Sequence, residues 1–208
     1  MAQEWDKIFE KRGKYLIEPQ KDMMRVVKAF KKKKVKKVLD LGCGSGRHTV
    51  FLAKHGFDVY SFDISKHGIK LAKDWLKEEG LKAHFAIGSI YRKLPYKENF
   101  FDAVVSVRVI HHGRVEEIKK LIKEMERVLK PGGLLFIEVT KPAKTNIKSK
   151  EIAPRTYLSL EGKEKGAIHY IYSKALLRKD FKDFNIRNIW YDSSTKKHFC
   201  LLGELETK

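Results

Sequence analysis

The sequence predicts an α/β fold: a doubly wound, mostly parallel seven-stranded sheet closed by a C-terminal antiparallel hairpin. Three observations carry that expectation. Short apolar runs alternate five times with helical patterns between Lys37 and Thr140. The first run, Val38-Leu39-Asp40-Leu41, opens into Gly42-Cys43-Gly44-Ser45-Gly46, and a helical pattern follows at once. The run Phe101 to Val107 is apolar throughout after Asp102, as a strand covered on both faces requires.

The elements follow in order. Residues 1 to 19 are polar with interleaved aromatics, Trp5, Phe9 and Tyr15. Gln20 to Lys33 reads as an amphipathic helix with Met23, Met24, Val27 and Phe30 on its apolar face. Lys31 to Lys37 carries six lysines around Val35 and reads as a solvated linker. Lys37 to Leu41 is the first strand, and Thr49 to His55 continues the helix begun at the glycine turn. Asp58 to Phe62 is the second strand, with Asp63 at its end. Ser65 caps a helix through Glu79, closed by Gly80. Ala83 to Ile87 and Phe101 to Val107 are the next strands, and Val115 to Leu129 is a long amphipathic helix. Lys130-Pro131-Gly132-Gly133 reads as a turn into a fifth strand, Leu134 to Thr140. Lys141 to Lys165 is polar and lysine-rich, a lid or surface excursion. A short helix over Ser173 to Phe181 precedes two strands, Asn185 to Tyr191 and His198 to Glu204, which form the closing hairpin.

Composition bounds the function. The chain of 208 residues has a formal charge of +19 and 42% apolar residues, enough for one domain with a real core. No apolar run reaches the length of a membrane span, and the N-terminus lacks the apolar region of a signal peptide, so a cytoplasmic protein is expected. Cys43 and Cys200 read as free thiols, and the eight histidines show no metal-ligand spacing, so no metal is expected. Lysine-rich, glutamine-poor composition suits a heat-adapted surface; a basic face for nucleic acid is the other reading.

Three glycines at alternate positions let a backbone approach a ligand closely. Asp40, two residues before the first of them, sits poorly beside a pyrophosphate and suits a ligand bearing positive charge, an ammonium or a sulfonium. Asp63, at the next strand end, is placed to accept both hydroxyls of a ribose; capping the helix before Ser65 is the other reading. Ile64 would then lie against the flat face of a base.

Asp40-Leu41-Gly42-Cys43-Gly44-Ser45-Gly46, Asp63, Phe101-Asp102-Ala103-Val104-Val105-Ser106 and Leu129-Lys130-Pro131-Gly132-Gly133 together resemble the class I S-adenosylmethionine-dependent methyltransferases, over roughly residues 35 to 140. The resemblance implies a Rossmann-like sheet and S-adenosylmethionine as cofactor. It implies that Asp40 and the backbone of Gly42, Gly44 and Gly46 hold the methionine part, and that Asp63 binds the ribose. Ile64 would pack on the adenine, with Ser89 and Ile90 at its edge, and Ser106 and Val107 would border the methionine carboxylate. Many members have an aspartate where Ser89 stands. Arg108, His111 and His112 follow the fourth strand at the mouth of the site; one histidine is placed to act as base or to orient the acceptor, and His111-His112 simply beginning the next helix is the other reading.

The division expected is one methyltransferase domain over 1–208, with a helical cap at 1–34, a cofactor-binding core at 35–140 and an acceptor-side segment with closing strands at 141–208. Gly46-Arg47-His48 and the N-terminal aromatics look like small-molecule methyltransferases of the tellurite-resistance and thiol-methylating type. Val109-Ile110-His111-His112 through Gly133 equally looks like tRNA wobble-uridine methyltransferases. A small-molecule acceptor is the main expectation, tRNA the alternative. A catalytically silent cofactor-binding partner protein and a basic nucleic-acid-binding protein remain open at this point.

Overall fold

The computed structural model describes residues 2–14, 16–142, 148–162 and 164–207, so Tyr15 and part of the Lys141 to Lys165 segment lie outside the described residues. A seven-stranded sheet runs in the order β3-β2-β1-β4-β5-β10-β9. Its strands are β1 (Lys37–Leu41), β2 (Asp58–Asp63), β3 (His84–Ile87), β4 (Phe101–Val107), β5 (Leu129–Thr140), β9 (Phe184–Tyr191) and β10 (His198–Leu205). The first five are parallel, while β10 runs antiparallel between β5 and β9, with Val139 opposite Phe199 and Leu201 opposite Ile189. The strand order reverses between β1 and β4, so the glycine turn after β1 opens at the switch point where such sheets bind ligands.

Alternation along the central strands divides the core between the two faces of the sheet. Leu39 and Leu41 of β1 and Val104 of β4 pack with Ile118, Leu121 and Met125 of α5 (Val115–Val128). Val38 and Val105 pack on the other face with Met23, Val26 and Phe30 of α2 (Met23–Lys32) and Leu52 of α3 (Arg47–Lys54). β4 is apolar on both faces because both are covered. In α2 the buried face is Met23, Val26, Val27 and Phe30, so Val26 takes the place expected for Met24, which is 48% exposed. In α4 (Lys66–Glu78) the Ser65 Oγ accepts from Gly68 N at 2.9 Å, the expected cap. Ser173 does the same for Leu176 at the start of α6 (Lys174–Asp180).

Two expectations are corrected. The turn expected at Lys130 to Gly133 lies within β5: Leu129 already pairs with Phe101, and a register shift before Ala103 takes up the residues between. The segment expected as a lid or surface excursion instead contains most of a second, antiparallel sheet, β6 (Ser149–Ala153), β7 (Thr156–Ser159) and β8 (Ile168–Tyr170). Tyr170 N donates to His111 O at 2.7 Å and Tyr172 N to Thr140 O at 3.1 Å, which ties β8 and the residues after it to the ends of the central strands. The N-terminal aromatics lie on a helix, α1 (Ala2–Arg12), that packs against α4.

Gly46 sits at φ +92°, and a Cβ there would come within 2.6 Å of the Ala72 Cβ. Gly46→Ala is expected to cost about 1–3 kcal/mol of stability from strain and overlap. Urea unfolding of the two proteins checks this; equal midpoints would mean that the turn relaxes freely.

Candidate functional site

A cavity of about 340 Å³ opens beside the glycine turn. Its floor is Gly42 and Gly44, one wall Asp63 and Ile64, another Val107 and Arg108. Trp5 and Phe9 of α1 form its roof. The sequence dictates this arrangement locally. A Cβ on Gly44 would meet the Phe9 ring at 2.7 Å, so only glycine lets α1 lie this close. Asp6 anchors that helix. Its carboxylate accepts from Ser65 Oγ at 2.7 Å and from the backbone N–H of His67 at 2.9 Å, at the N-terminus of α4. The His67 N–H is the largest influence, and with the Ser65 and His67 side chains it holds the Asp6 carboxyl down at about 2.

Asp63 is the best-defined group in the cavity. Its Oδ2 accepts from Gly44 N and its Oδ1 from Ser65 N, both at 2.8 Å, and it is 7% exposed. Each oxygen keeps lone-pair capacity for a donor from the cavity. Burial pushes its pKa up, and the two backbone donors oppose that.

Of the residues singled out from sequence, Gly42, Gly44, Asp63, Ile64, Ser89, Ile90, Val107, Arg108 and His112 line the cavity. Asp40, Gly46, Ser106 and His111 do not. Asp40 lies beneath the turn, 1% exposed, where it accepts from Thr49 Oγ1 at 2.7 Å. Burial raises its pKa to about 7, with the neighbouring Asp63 charge adding to the rise. Ser106 Oγ donates back to Leu41 O at 2.8 Å, and Gly46 serves the start of α3. The N–H groups of Gly42 and Gly44 are engaged inward, by Phe62 O at 2.7 Å and by Asp63, so a ligand meets this turn chiefly through its bare Cα edge.

Arg108 is held in the left-handed region at φ +61°, and its Nε donates to the fully buried Glu138 at 2.6 Å. His111 and His112 are buried, and the structure adds His169 from β8, far away in sequence. Burial pushes all three imidazoles toward the neutral form, His112 to about 3. Trp5 packs edge-on to His112 with ring centres 4.9 Å apart.

The sequence reading missed Arg47, His48, Tyr91 and Glu164 as lining residues. Arg47 and His48 had a signal, since they begin the helix that leaves the glycine turn. His48 Nε2 accepts the N–H of Gln20 at 3.2 Å. Glu164, beside β8 in a polar stretch, had none.

Comparison with known proteins places these residues in context. A family model described as a methyltransferase domain matches residues 38–133. Norajmaline N-methyltransferase of Rauvolfia serpentina is 38% identical over 108 residues, covering 50% of this chain and 36% of that protein. The tRNA (carboxymethyluridine(34)-5-O)-methyltransferase of Arabidopsis thaliana is 37% identical over 107 residues, covering 49% of this chain and 23% of its own length. The chain thus spans well under half the length of these relatives. A crystal structure of an S-adenosylmethionine-dependent methyltransferase from Clostridium acetobutylicum superposes with a TM-score of 0.73 at 15% identity, covering 99% of both chains, so the whole fold is shared.

The buried Asp40 yields a pH dependence. The native chain binds its proton more tightly than the unfolded chain does. Its contribution to stability therefore declines as pH rises from 3.8, the ordinary value, to about 7, and is level above that. The stability of the wild type relative to Asp40→Asn should fall across that window in urea titrations. A difference that does not change with pH would contradict a buried, weakly acidic carboxyl.

Proposed function

We propose that this chain, whose residues 38–133 match a methyltransferase-domain model, transfers a methyl group from S-adenosylmethionine to a small-molecule acceptor. The single observation that carries the reading is the Asp63 carboxylate. It faces the cavity at a strand end, fixed by two backbone N–H groups and retaining acceptor capacity for a pair of vicinal hydroxyls. The cavity suits the rest of the nucleoside: Ile64 and Ile90 offer flat apolar contact, and Ser89 stands at their edge.

S-adenosylmethionine supplies an already activated methyl on a sulfonium. The protein's residues then have three tasks. Asp63 and the glycine turn fix the cofactor, so that the methyl direction is set by the fold. Asp40 and Asp63 place two carboxyl groups near the turn, a field that favours a cationic ligand over a neutral one once they are ionised. Trp5 and Phe9 exclude water from the cavity, where Glu164 stands ready to accept the acceptor's proton. Ser89 accepts less strongly than an aspartate would there, so more of the adenine contact falls to backbone groups.

The roof of α1 and the second sheet favour a compact acceptor. The +19 charge favours tRNA, and both readings meet in one experiment. Methyl-labelled S-adenosylmethionine is offered with a small-molecule extract and, separately, with total tRNA, to wild type and Asp63→Ala. Label in a low-mass product is expected. Asp63→Ala should weaken S-adenosylhomocysteine binding by about 30-fold or more, since hydrogen bonds to a charged acceptor are worth about 1.5–3 kcal/mol each. Label in tRNA alone would overturn the acceptor reading. Bound cofactor with no transfer to either would favour a silent partner protein, and unchanged affinity in Asp63→Ala would remove the ribose assignment.

A further inference from the structure

The geometry points to a divalent transition-metal site, of the kind zinc occupies, formed by His111, His112 and His169, of which His112 lines the cavity. One nitrogen from each ring lies within 4.8 Å of the others. Two of the rings come from the turn after β4 and the third from β8. The hydrogen bond from Tyr170 N to His111 O locks those two segments together at 2.7 Å, so the three rings are held by the backbone. Ring centres of His111 and His112 are 4.3 Å apart, and those of His112 and His169 4.7 Å.

Two further observations indicate a ligand for the ring nitrogens. His111 Nδ1 is buried with no hydrogen-bond partner among the described residues, while its Nε2 meets Thr140 Oγ1 at 2.9 Å. A buried unpaired ring nitrogen carries a desolvation cost with nothing to offset it. His112 has a carbonyl oxygen facing each ring nitrogen, Ile168 O at 3.2 Å and Arg108 O at 3.1 Å. A neutral imidazole can donate to only one of these, so the other nitrogen turns a lone pair toward a carbonyl. A small rotation of that ring toward a cation relieves the conflict.

The donor set is right for such an ion. Three imidazoles suit zinc, cobalt or nickel, and hard, oxygen-loving cations are excluded by the same chemistry. Zinc holds nitrogens at about 2.0–2.1 Å, so tetrahedral donors sit about 3.3 Å apart, and the rings must draw in by roughly 1.5 Å at most. His169, on a three-residue strand, is the least buried of the three rings and so the one to move. Glu164 lies 3.3 Å from His169 Nε2; with Nδ1 turned to the ion, it is the carboxylate that orients a metal-bound imidazole through its other nitrogen. Its charge also offsets part of the ion's, which matters beside a cationic cofactor.

Three protein ligands leave a fourth coordination position free, and His112 of the cluster lines the cavity together with Glu164. This rests on the methyl-transfer reading, and it names the acceptor class: a thiol or hydroxyl that binds the ion as its anion. Binding releases the acceptor's proton to Glu164 or water. The anion's lone pair then forms the bond to the methyl carbon as the carbon–sulfonium bond breaks. That electron pair stays on sulfur, giving the neutral thioether.

The test needs no turnover. Tag-free protein is titrated with Co²⁺, read by visible absorption, and then with Zn²⁺ as competitor. S-adenosylhomocysteine binding is measured separately on every sample. About one Co²⁺ per chain with a four-coordinate spectrum, displaced by Zn²⁺, is expected. His169→Ala should weaken metal binding at least 100-fold, Glu164→Gln by about 10–100-fold, and His84→Ala, an exposed histidine remote from the cluster, not at all. His169→Gln replaces His169→Ala should the latter lose S-adenosylhomocysteine binding. Wild type that binds S-adenosylhomocysteine but shows no cobalt band overturns the proposal, as does equal affinity in wild type and the His169 variant. Failure of S-adenosylhomocysteine to bind at all would instead count against the methyl-transfer reading and leave the spectra to judge the metal.

Discussion

The Asp63 carboxylate is the fixed point of this molecule. One oxygen takes the N–H of Gly44 and the other that of Ser65, so a single side chain ties the glycine turn after β1 to the start of α4. Charge-assisted bonds of this kind are worth roughly twice neutral ones, and burial makes them stiffer still. Ser65 then caps α4 and also donates to Asp6, which carries α1 across the cavity. Floor, wall and roof of the site therefore meet on one acid, and its remaining lone pairs are what a ligand finds.

Much of this was legible in the sequence, for definite reasons. Strands buried on both faces, such as Phe101 to Val107, announce themselves as apolar runs, and the turn between β1 and α3 needs glycines no other residue replaces. Asp63 was singled out because it ends the next strand, beside the glycine turn, at the spacing a ribose-binding acid takes. Two kinds of feature were not legible. Residues made important by a long-range approach carry no local pattern, as with Glu164, Tyr91 and the meeting of His169 with His111 and His112. Depth was the other. Asp40 and Ser106 stand next to the site in sequence, but their side chains are taken up by Thr49 and by the Leu41 carbonyl, on opposite faces of the sheet. The polar segment after β5 misled for a third reason. Its strands are short and half-exposed, so their apolar content never reaches the level that marks a strand.

The surface separates from the site in character. Lysines outnumber partners, and pairs such as Lys33 with Glu204 or Lys123 with Asp183 join distant segments at the exposed rim. Each contributes little by itself in water. The cavity, in contrast, brings the buried Asp63 carboxyl, Arg108 in the left-handed region and the neutral His112 imidazole into one cleft. Groups with shifted protonation gathered in a cleft make that cleft the candidate functional site, whatever the charge of the surface around it. Among the described residues no helix is long and apolar enough to cross a membrane.

A crystal structure of the S-adenosylhomocysteine complex tests the central claim most directly. The ribose hydroxyls should lie within about 3 Å of both Asp63 oxygens, with the Gly44 and Ser65 N–H bonds intact and the thioether sulfur pointing toward His112. A ligand seated elsewhere in the cleft, or an Asp63 that keeps only its backbone donors while the ribose binds other groups, would contradict the account.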